Sequence, residues 1–161
     1  MSKDSQGFGR TIALSDLAAT TALGEEIAAV LVPGAAVGLE GDLGAGKTTL
    51  ARAILRALEV RESVPSPTFT LVQTYETKRF PVRHYDFYRI ESEREIEELG
   101  LDDALAEGAA LIEWPERAGA LLPRNTLRVV LTVVNGNERH ATLSGSADWA
   151  ASIGRRLADD R

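Results

Sequence analysis

The sequence predicts a three-layer α/β domain whose mostly parallel central sheet carries added antiparallel strands. The chain has 161 residues, the usual length of one domain. Residues 35–40 and 109–112 are short apolar runs of the length expected for buried parallel strands. The first run leads through a glycine-rich stretch into a helical pattern. We therefore expect residues 1–161 to form a single domain, with residues 1–9 as a flexible tail.

Strands and helices alternate in the first third of the chain. The predicted strands cover residues 11–14 and 35–40, and the predicted helices cover residues 16–31 and 47–58. Ser15 is expected to cap the first helix, because a serine side chain accepts hydrogen bonds from the first free N–H groups of a helix. Pro33 and Gly34 are expected to end that helix.

The later elements are shorter and include antiparallel strands. Strands are predicted over residues 69–76, 82–88, 109–112, 126–134 and 139–144. A hairpin across residues 77–81 is expected to join the first two of these, and the turn at residues 135–137 the last two. A capping box that starts at Ser92 opens a short helix, which Gly100 closes, and a terminal helix is predicted over residues 148–158.

Composition and charge exclude several classes of protein. The chain has no cysteine and only two histidines, so disulfide scaffolds, iron–sulfur clusters, thiolate zinc sites and cysteine nucleophiles are ruled out. With 18 basic and 24 acidic residues, it lacks the basic surplus of a protein that binds nucleic acid by itself. No run of 18 apolar residues is present and the N-terminus is polar, so we expect no membrane contact and a cytoplasmic location.

The most informative stretch is a candidate phosphate-binding loop, because residues 41–48 match the pattern G-x-x-x-x-G-K-[ST]. Glycines let backbone N–H groups approach phosphates closely, and the helix that follows adds the positive end of its dipole. Lys47 is expected to reach the β- and γ-phosphates of a nucleotide, and the Thr48 hydroxyl to bind Mg²⁺. The candidate nucleotide-binding residues in this stretch are Gly44, Ala45, Gly46, Lys47, Thr48 and Thr49.

Glu113 is a candidate catalytic residue and Mg²⁺ ligand. Nucleotide hydrolysis needs an acid that organises Mg²⁺ and a group that orients the attacking water. Glu113 follows the apolar run of residues 109–112, at the carboxyl end of a predicted core strand, where ligands of parallel sheets bind. The alternative is an exposed glutamate at the end of a strand.

Asp86 is the second candidate catalytic acid and Mg²⁺ ligand. On an alternating strand it shares one face with His84 and Tyr88, and three such side chains together suggest a site. The alternative is a solvated sheet face, with Tyr85 and Phe87 turned inward.

Thr68 and Trp114 complete the set of candidate residues. Thr68 lies between Pro67 and Phe69 in a loop before a strand, where a threonine can contact the γ-phosphate or Mg²⁺ as in switch loops. Trp114 follows Glu113 and is a candidate for stacking near the nucleotide. An ordinary loop threonine and a core tryptophan are the alternatives.

Four motifs occur in order along the chain. They are GDLGAGKT at residues 41–48, SPTFTL at 66–71, HYDFYR at 84–89 and IEWPE at 112–116. Together they resemble the TsaE family, the bacterial ATPase of tRNA threonylcarbamoyladenosine biosynthesis, over residues 14–143. Only the first motif is generic. Pro65, directly before the second motif, departs from the family pattern and predicts a stiffer loop.

The resemblance implies a P-loop NTPase-like fold and a Mg²⁺-dependent ATP hydrolase. Its partners would be TsaB and TsaD, which transfer a threonylcarbamoyl group to adenosine 37 of tRNA, so that tRNA is contacted indirectly. The resemblance assigns phosphate and Mg²⁺ binding to Lys47 and Thr48 and a switch-like segment to Thr68. It makes Asp86 an essential acid and Glu113 the catalytic acid.

Other classes of nucleotide-binding protein fit the residues less well. A GTPase would need an Asn-Lys-x-Asp motif, but Asn125, Asn135 and Asn137 are not followed by lysine. A small-molecule kinase would need an acceptor site and usually a lid with arginines, for which the chain offers no clear segment. A nucleotide-binding regulator without hydrolysis stays open, although Glu113 and Asp86 argue against it.

Overall fold

The computed structural model describes residues 8–154, which contain one seven-stranded sheet. Its strands are β1 (Phe8–Leu14), β2 (Ala36–Glu40), β3 (Val72–Tyr75), β4 (Val82–Asp86), β5 (Ala109–Glu113), β6 (Leu127–Asn135) and β7 (Glu138–Gly145). The helices are α1 (Leu17–Val30), α2 (Lys47–Ala57), α3 (Glu93–Glu98), α4 (Leu101–Glu107) and α5 (Ala147–Trp149). The strands lie in the order β1-β7-β6-β2-β5-β4-β3.

The centre of the sheet is parallel and its edges are antiparallel. The pairs β6–β2, β2–β5 and β5–β4 are parallel. The pairs β1–β7, β7–β6 and β4–β3 are antiparallel. This confirms the predicted sheet. Because β2, β5 and β4 run the same way, their carboxyl ends meet at one edge, and the segments that follow them lie side by side.

Two hydrophobic layers cover the two faces of the sheet, as β5 shows. Ala109 and Leu111 belong to the layer that includes α1 and α2, whereas Ala110 and Ile112 belong to the layer that includes α3 and α4. All four side chains are fully buried, as expected for a central parallel strand covered on both faces. The predicted three-layer architecture is confirmed.

The sheet begins earlier in the chain than predicted. Phe8 and Gly9, which we expected in a flexible tail over residues 1–9, pair with the last residues of β7. The rest of that predicted tail lies outside the described residues. The sequence around Phe8 does not reveal this pairing, because its partner strand lies more than 130 residues away.

Asp16 caps α1 in place of the predicted Ser15. The Asp16 carboxylate accepts a hydrogen bond of 2.9 Å from the N–H of Ala19, and the helix begins at Leu17. Aspartate and serine are both good cap residues, so two neighbours of these types leave the helix start ambiguous by one position.

The segment after α2 contains less strand than predicted. β3 covers Val72–Tyr75 rather than residues 69–76, because the residues before it form a turn. That turn is closed by a 2.7 Å hydrogen bond from the N–H of Leu71 to the carbonyl of Pro67, and Leu71 has a φ angle of +69°. The hairpin between β3 and β4 is confirmed.

Gly100 ends α3, as predicted, and also begins a second helix. With a φ angle of +72° it connects α3 to α4, a helix that the sequence pattern did not predict. The helix starts after Ser92 as predicted, but the capping box is wrong: Ser92 makes no side-chain cap, and the Glu95 carboxylate accepts a 2.8 Å hydrogen bond from the N–H of Glu91.

The predicted C-terminal helix is confirmed as far as the described residues extend. α5 continues as a π-helical turn over Ala150–Gly154, and the rest of the predicted helix over residues 148–158 lies outside the described residues. The indole N–H of Trp149 donates to the carbonyl of Asn125, which fixes α5 beside the start of β6. Across residues 8–154, no helix is long and apolar enough to cross a membrane.

Candidate functional site

The glycine-rich loop between β2 and α2 has a backbone conformation that favours glycine. Gly41, Gly44 and Gly46 have φ angles of +147°, +83° and +109°. A Cβ atom on Gly41 would lie 2.6 Å from the carbonyl oxygen of Leu131, whereas no atom lies within 4 Å of the corresponding positions at Gly44 and Gly46. The loop therefore packs against β6 at its start and is open where it enters α2.

The first turn of α2 opens into this loop. The first N–H groups of a helix have no acceptor within the helix, and in α2 these belong to Lys47, Thr48 and Thr49. The N–H of Leu50 already bonds to the carbonyl of Gly46 at 2.9 Å. Free N–H groups and the positive end of the helix dipole make this turn suited to an anion.

The side chain of Lys47 folds back over the loop. Its Nζ atom donates to the carbonyls of Gly41 at 2.6 Å and Asp42 at 3.0 Å, and lies 4.4 Å from the centre of the Trp114 ring. Burial lowers the pKa of Lys47, and the nearby Glu113 carboxylate opposes that shift most strongly. The ammonium group is thus held beside the open part of the loop.

Glu113 is at the centre of a buried hydrogen-bond network. The Thr48 hydroxyl lies 2.9 Å from both carboxylate oxygens of Glu113, and His84 Nε2 lies 2.7 Å from Oε2. Glu113 is only 3% exposed. The alternative of an exposed glutamate at the strand end is therefore wrong.

Asp86 lies directly beside Glu113, since the two residues are paired across β4 and β5. Its Oδ2 atom accepts a 3.1 Å hydrogen bond from the Thr68 hydroxyl, and its Oδ1 atom accepts one of 2.9 Å from the N–H of Tyr88. Asp86 is 4% exposed, so the alternative of a solvated sheet face is wrong for this position. The Ser66 hydroxyl lies 2.7 Å from that of Thr68 and extends the network into the loop.

The prediction that His84, Asp86 and Tyr88 share one face of β4 is correct for His84 and Asp86. His84 and Asp86 both lie on the side of Glu113, and Tyr85 and Phe87 are buried in the opposite layer. Tyr88 lies after the end of β4 and is 38% exposed. Its ring packs against the ring of Trp114, which follows the neighbouring strand β5.

Trp114 lies at the mouth of the site. Its φ angle of +60° turns the chain sharply after β5, and its ring lies 4.9 Å from the ring of Tyr88. With Lys47 over its face, the indole forms a wall beside the loop. Trp114 is only partly buried, but it also packs against the hydrophobic layer that includes α3 and α4, so both interpretations hold in part.

These side chains line one cleft of about 230 Å³. Its lining residues are Leu43, Gly44, Gly46, Lys47, Thr48, Thr49, Ser66, Thr68, Asp86, Glu113 and Trp114. Every candidate residue predicted from the sequence is among them except Ala45, which is buried and faces a different cavity. The fold therefore brings the loop and the candidate acids together.

A second cavity of about 320 Å³ adjoins the loop on the side of α1. It is lined by Leu14, Asp16, Leu17, Thr20, Ala45, Gly46, Thr49, Leu131, Asn137 and Arg139. Gly46 and Thr49 line both cavities, so the two meet at the start of α2. Arg139 Nε also donates to the carbonyl of Ala45 at 3.1 Å. No local motif predicts this cavity, because its walls combine the glycine loop and α2 with β1, α1, β6, β7 and the β6–β7 turn.

The oxygen atoms at the cleft suit Mg²⁺ bound together with a nucleotide. Mg²⁺ prefers oxygen ligands, keeps several waters, and is usually held by one or two carboxylates plus substrate phosphates. Thr48, Asp86 and Glu113 supply a hydroxyl and two carboxylates of this kind. Within residues 8–154, no group of three or more histidine, aspartate or glutamate side chains is placed to hold a metal by itself.

Comparison with known proteins identifies related sequences. The family model described as "Threonylcarbamoyl adenosine biosynthesis protein TsaE" matches residues 14–141. A Rickettsia felis protein named tRNA threonylcarbamoyladenosine biosynthesis protein TsaE is 41% identical over 135 residues, which is 83% of this chain and 79% of that protein. The Bacillus subtilis protein of the same name is 38% identical over 126 residues, 78% of each chain.

A solved structure shares the fold. The crystal structure of Bacillus subtilis YdiB superposes with a TM-score of 0.80 and 27% sequence identity, covering 96% of this chain and 97% of that one. The likeness thus extends over nearly the whole length of both chains.

Proposed function

Because the chain belongs to the TsaE family and so has a role in tRNA threonylcarbamoyladenosine biosynthesis, we propose that it binds Mg-ATP and hydrolyses it to support turnover of TsaB and TsaD. One observation carries the proposal: the open glycine loop, Lys47 and two buried acids converge on one cleft. Burying two carboxylates beside the loop has a cost, which roles in Mg²⁺ binding and hydrolysis account for.

The glycine-rich loop and the first turn of α2 would bind the phosphates. The N–H groups of Lys47, Thr48 and Thr49 would donate to phosphate oxygens, as at other helix N-termini. The Lys47 ammonium now donates to the carbonyls of Gly41 and Asp42, and a β,γ-phosphate group would give it a charged acceptor. The Trp114 ring, whose centre lies 4.4 Å from Nζ, restricts the movement of the Lys47 side chain.

Thr48, Asp86 and Glu113 would hold Mg²⁺ together with the phosphates. When bound, Mg²⁺ supplies charge stabilisation to the transferring phosphoryl group. The Thr48 hydroxyl now donates to Glu113 and would turn its oxygen toward the cation. Asp86, fixed by Thr68 and the N–H of Tyr88, presents a carboxylate that does not depend on this change.

Glu113 is the residue placed to act on the attacking water. It lies at the end of β5, beside the loop, and its carboxylate is held by two other side chains, Thr48 and His84. A general base must lie within hydrogen-bond distance of the proton that it abstracts, so its orientation matters as much as its basicity. The buried hydrogen-bond network around Glu113 fixes the orientation of its carboxylate.

The second cavity would receive the nucleotide base. It begins at Gly46 and Thr49, where the α-phosphate end of a nucleotide would emerge, and its walls combine apolar and polar groups. Leu17 and Leu131 supply apolar surface, and Thr20 and Asn137 supply hydrogen-bonding groups. The base would then lie apart from Asp86 and Glu113, and hydrolysis would take place in the cleft.

The partners would sense the nucleotide through the segment of residues 66–71. Thr68 ties this segment to Asp86, and Phe69 next to it is 81% exposed, with the Arg89 guanidinium 4.6 Å from its ring centre. A change at the γ-phosphate would act on Thr68 and so on the exposed surface. The net charge of −6 favours contact with tRNA through the partner proteins rather than directly.

The test is phosphate release from ATP by the purified chain, alone and with TsaB and TsaD, in Mg²⁺ and in EDTA. The proposal expects Mg²⁺-dependent hydrolysis that the partners accelerate. ATP binding without hydrolysis in every condition would instead make the chain a nucleotide-binding regulator.

A further inference from the structure

His84 is a fully buried polar side chain next to the candidate acids. It lies on β4, two residues before Asp86 and on the same face, with none of its surface exposed. Its neighbours in the sheet are Gln73 of β3 and Leu111 of β5. A buried position beside Leu111 would ordinarily hold an apolar residue, because burying a polar group has a cost unless it is hydrogen-bonded.

The imidazole makes one hydrogen bond, to Glu113. Nε2 lies 2.7 Å from Glu113 Oε2, and Nδ1 has no partner among the described residues. An ionised carboxylate only accepts hydrogen bonds, so the Nε2 atom carries the proton in this contact. The histidine thus donates from Nε2 to a single carboxylate oxygen.

Glu113 has two donors around it in this state, Thr48 and His84. The proposed function moves the Thr48 hydroxyl away from Glu113 and toward Mg-ATP. His84 is then the donor that stays with the carboxylate, and it lies behind Glu113 rather than in the cleft, whose lining it does not join.

We propose that His84 is a positioning residue for hydrolysis: it holds Glu113 aimed at the reacting phosphate once Thr48 has turned to the bound nucleotide. The inference rests on the proposed function, because it acts through Glu113. It assigns to His84 a larger effect on the rate of hydrolysis than on the binding of ATP.

Two substitutions separate this role from packing. His84→Leu fills the space without a donor, and His84→Gln places an amide N–H near the position of Nε2. His140→Gln is the matched control, since His140 is the other histidine of the chain, lies on β7 and lines neither cavity. All variants are measured as full chains with TsaB and TsaD present.

The expected result is a split between kcat and KM. His84→Leu should lower kcat by about tenfold or more, the scale seen when a group that orients an active-site ligand is removed. Its KM for ATP should stay near the wild-type value, His84→Gln should recover much of the rate, and His140→Gln should match wild type. A His84→Leu rate equal to wild type would overturn the inference, as would equal losses in His84→Leu and His84→Gln.

A double-mutant comparison shows whether His84 works through Glu113. In a Glu113→Gln background, His84→Leu should cause little further loss, because the carboxylate it positions is gone. A full additional loss would overturn the inference and leave the proposed function standing. If Glu113→Gln alone hydrolyses ATP at the wild-type rate, the proposed role of Glu113 fails, and the inference fails with it.

The protonation of the His84 imidazole can be measured on the wild-type chain, so the result does not depend on the folding of a variant. Long-range ¹H–¹⁵N NMR spectra of the imidazole nitrogens distinguish the two neutral tautomers. We expect His84 to carry its proton on Nε2 in the nucleotide-free protein and to keep it there with a non-hydrolysable ATP analogue and Mg²⁺. An Nε2 atom that carries no proton in either state would overturn the inference.

Discussion

Thr48 and Glu113 are 65 residues apart in the chain, yet the hydroxyl of one lies 2.9 Å from both carboxylate oxygens of the other. Thr48 belongs to the first turn of α2, and Glu113 ends β5. The contact exists because β2, which leads into the loop before α2, pairs in parallel with β5. It brings a candidate Mg²⁺ ligand and a candidate base into one network, and the predictions below depend on it.

Lys47→Ala should weaken ATP binding by about tenfold or more, because a charged hydrogen bond to phosphate contributes roughly 1.5–3 kcal/mol. Isothermal titration calorimetry with Mg-ATP measures the change. Lys78→Ala is the matched control, since Lys78 is an exposed lysine paired with Glu59 at 3.5 Å. Wild-type affinity in Lys47→Ala would show that the loop is not the binding site.

Glu113→Gln should separate binding from hydrolysis. The amide keeps the shape of the side chain but cannot take up a proton, so single-turnover hydrolysis should fall by about 100-fold or more while ATP still binds. The control is Glu98→Gln, because Glu98 is an exposed glutamate 3.9 Å from Arg94 on α3. If hydrolysis persists in Glu113→Gln and disappears in Asp86→Asn, Asp86 is the catalytic acid.

Asp86→Asn should impair the Mg²⁺-dependent part of ATP binding. A divalent cation prefers a charged oxygen ligand, whereas the asparagine amide can still accept from the N–H of Tyr88 through its oxygen and donate to the Thr68 hydroxyl through its NH2 group. Affinity for ATP should therefore drop in Mg²⁺ and change little in EDTA. An equal loss in both conditions would point to a structural role in the sheet.

Thr20→Phe should block the base without affecting the phosphate site. Thr20 lines the second cavity, and a phenyl ring there would occupy space that the proposal gives to the base. ATP affinity should fall by about tenfold or more, and binding of inorganic tripolyphosphate should be unchanged. Thr21→Phe is the control, since the neighbouring Thr21 is exposed and lines neither cavity. Equal ATP affinity in the two variants would place the base elsewhere.

The isolated chain should bind tRNA weakly at physiological salt, because no stripe of lysine and arginine is present to neutralise several phosphates. Fluorescence anisotropy with labelled tRNA over a range of salt concentrations tests this. Association with TsaB and TsaD should depend on nucleotide and should accelerate hydrolysis. Tight, salt-sensitive tRNA binding by the chain alone would contradict the electrostatic reasoning.

Element ends were the least predictable part of the fold. Ser15 and Asp16 are neighbouring cap residues, and only the placement of α1 decides that Asp16 bonds to Ala19. The turn before β3 depends on the hydrogen bond between Leu71 and Pro67, in a stretch whose residue types favour a strand. Tertiary contacts override local preference at such places, because single hydrogen bonds outweigh small differences in propensity.

The sequence by itself determined the glycine loop, the lysine and threonine that follow it, and the parallel strands on either side of the site. These features are local, since the groups of residues 41–49 act within one loop and one helical turn, and strand burial shows in each apolar run. Only the tertiary structure decided that His84 bonds to Glu113 and that Leu14, Thr20 and Arg139 line one cavity. Those contacts join residues far apart in the chain, and the order of strands in the sheet, which no local pattern encodes, sets their distances.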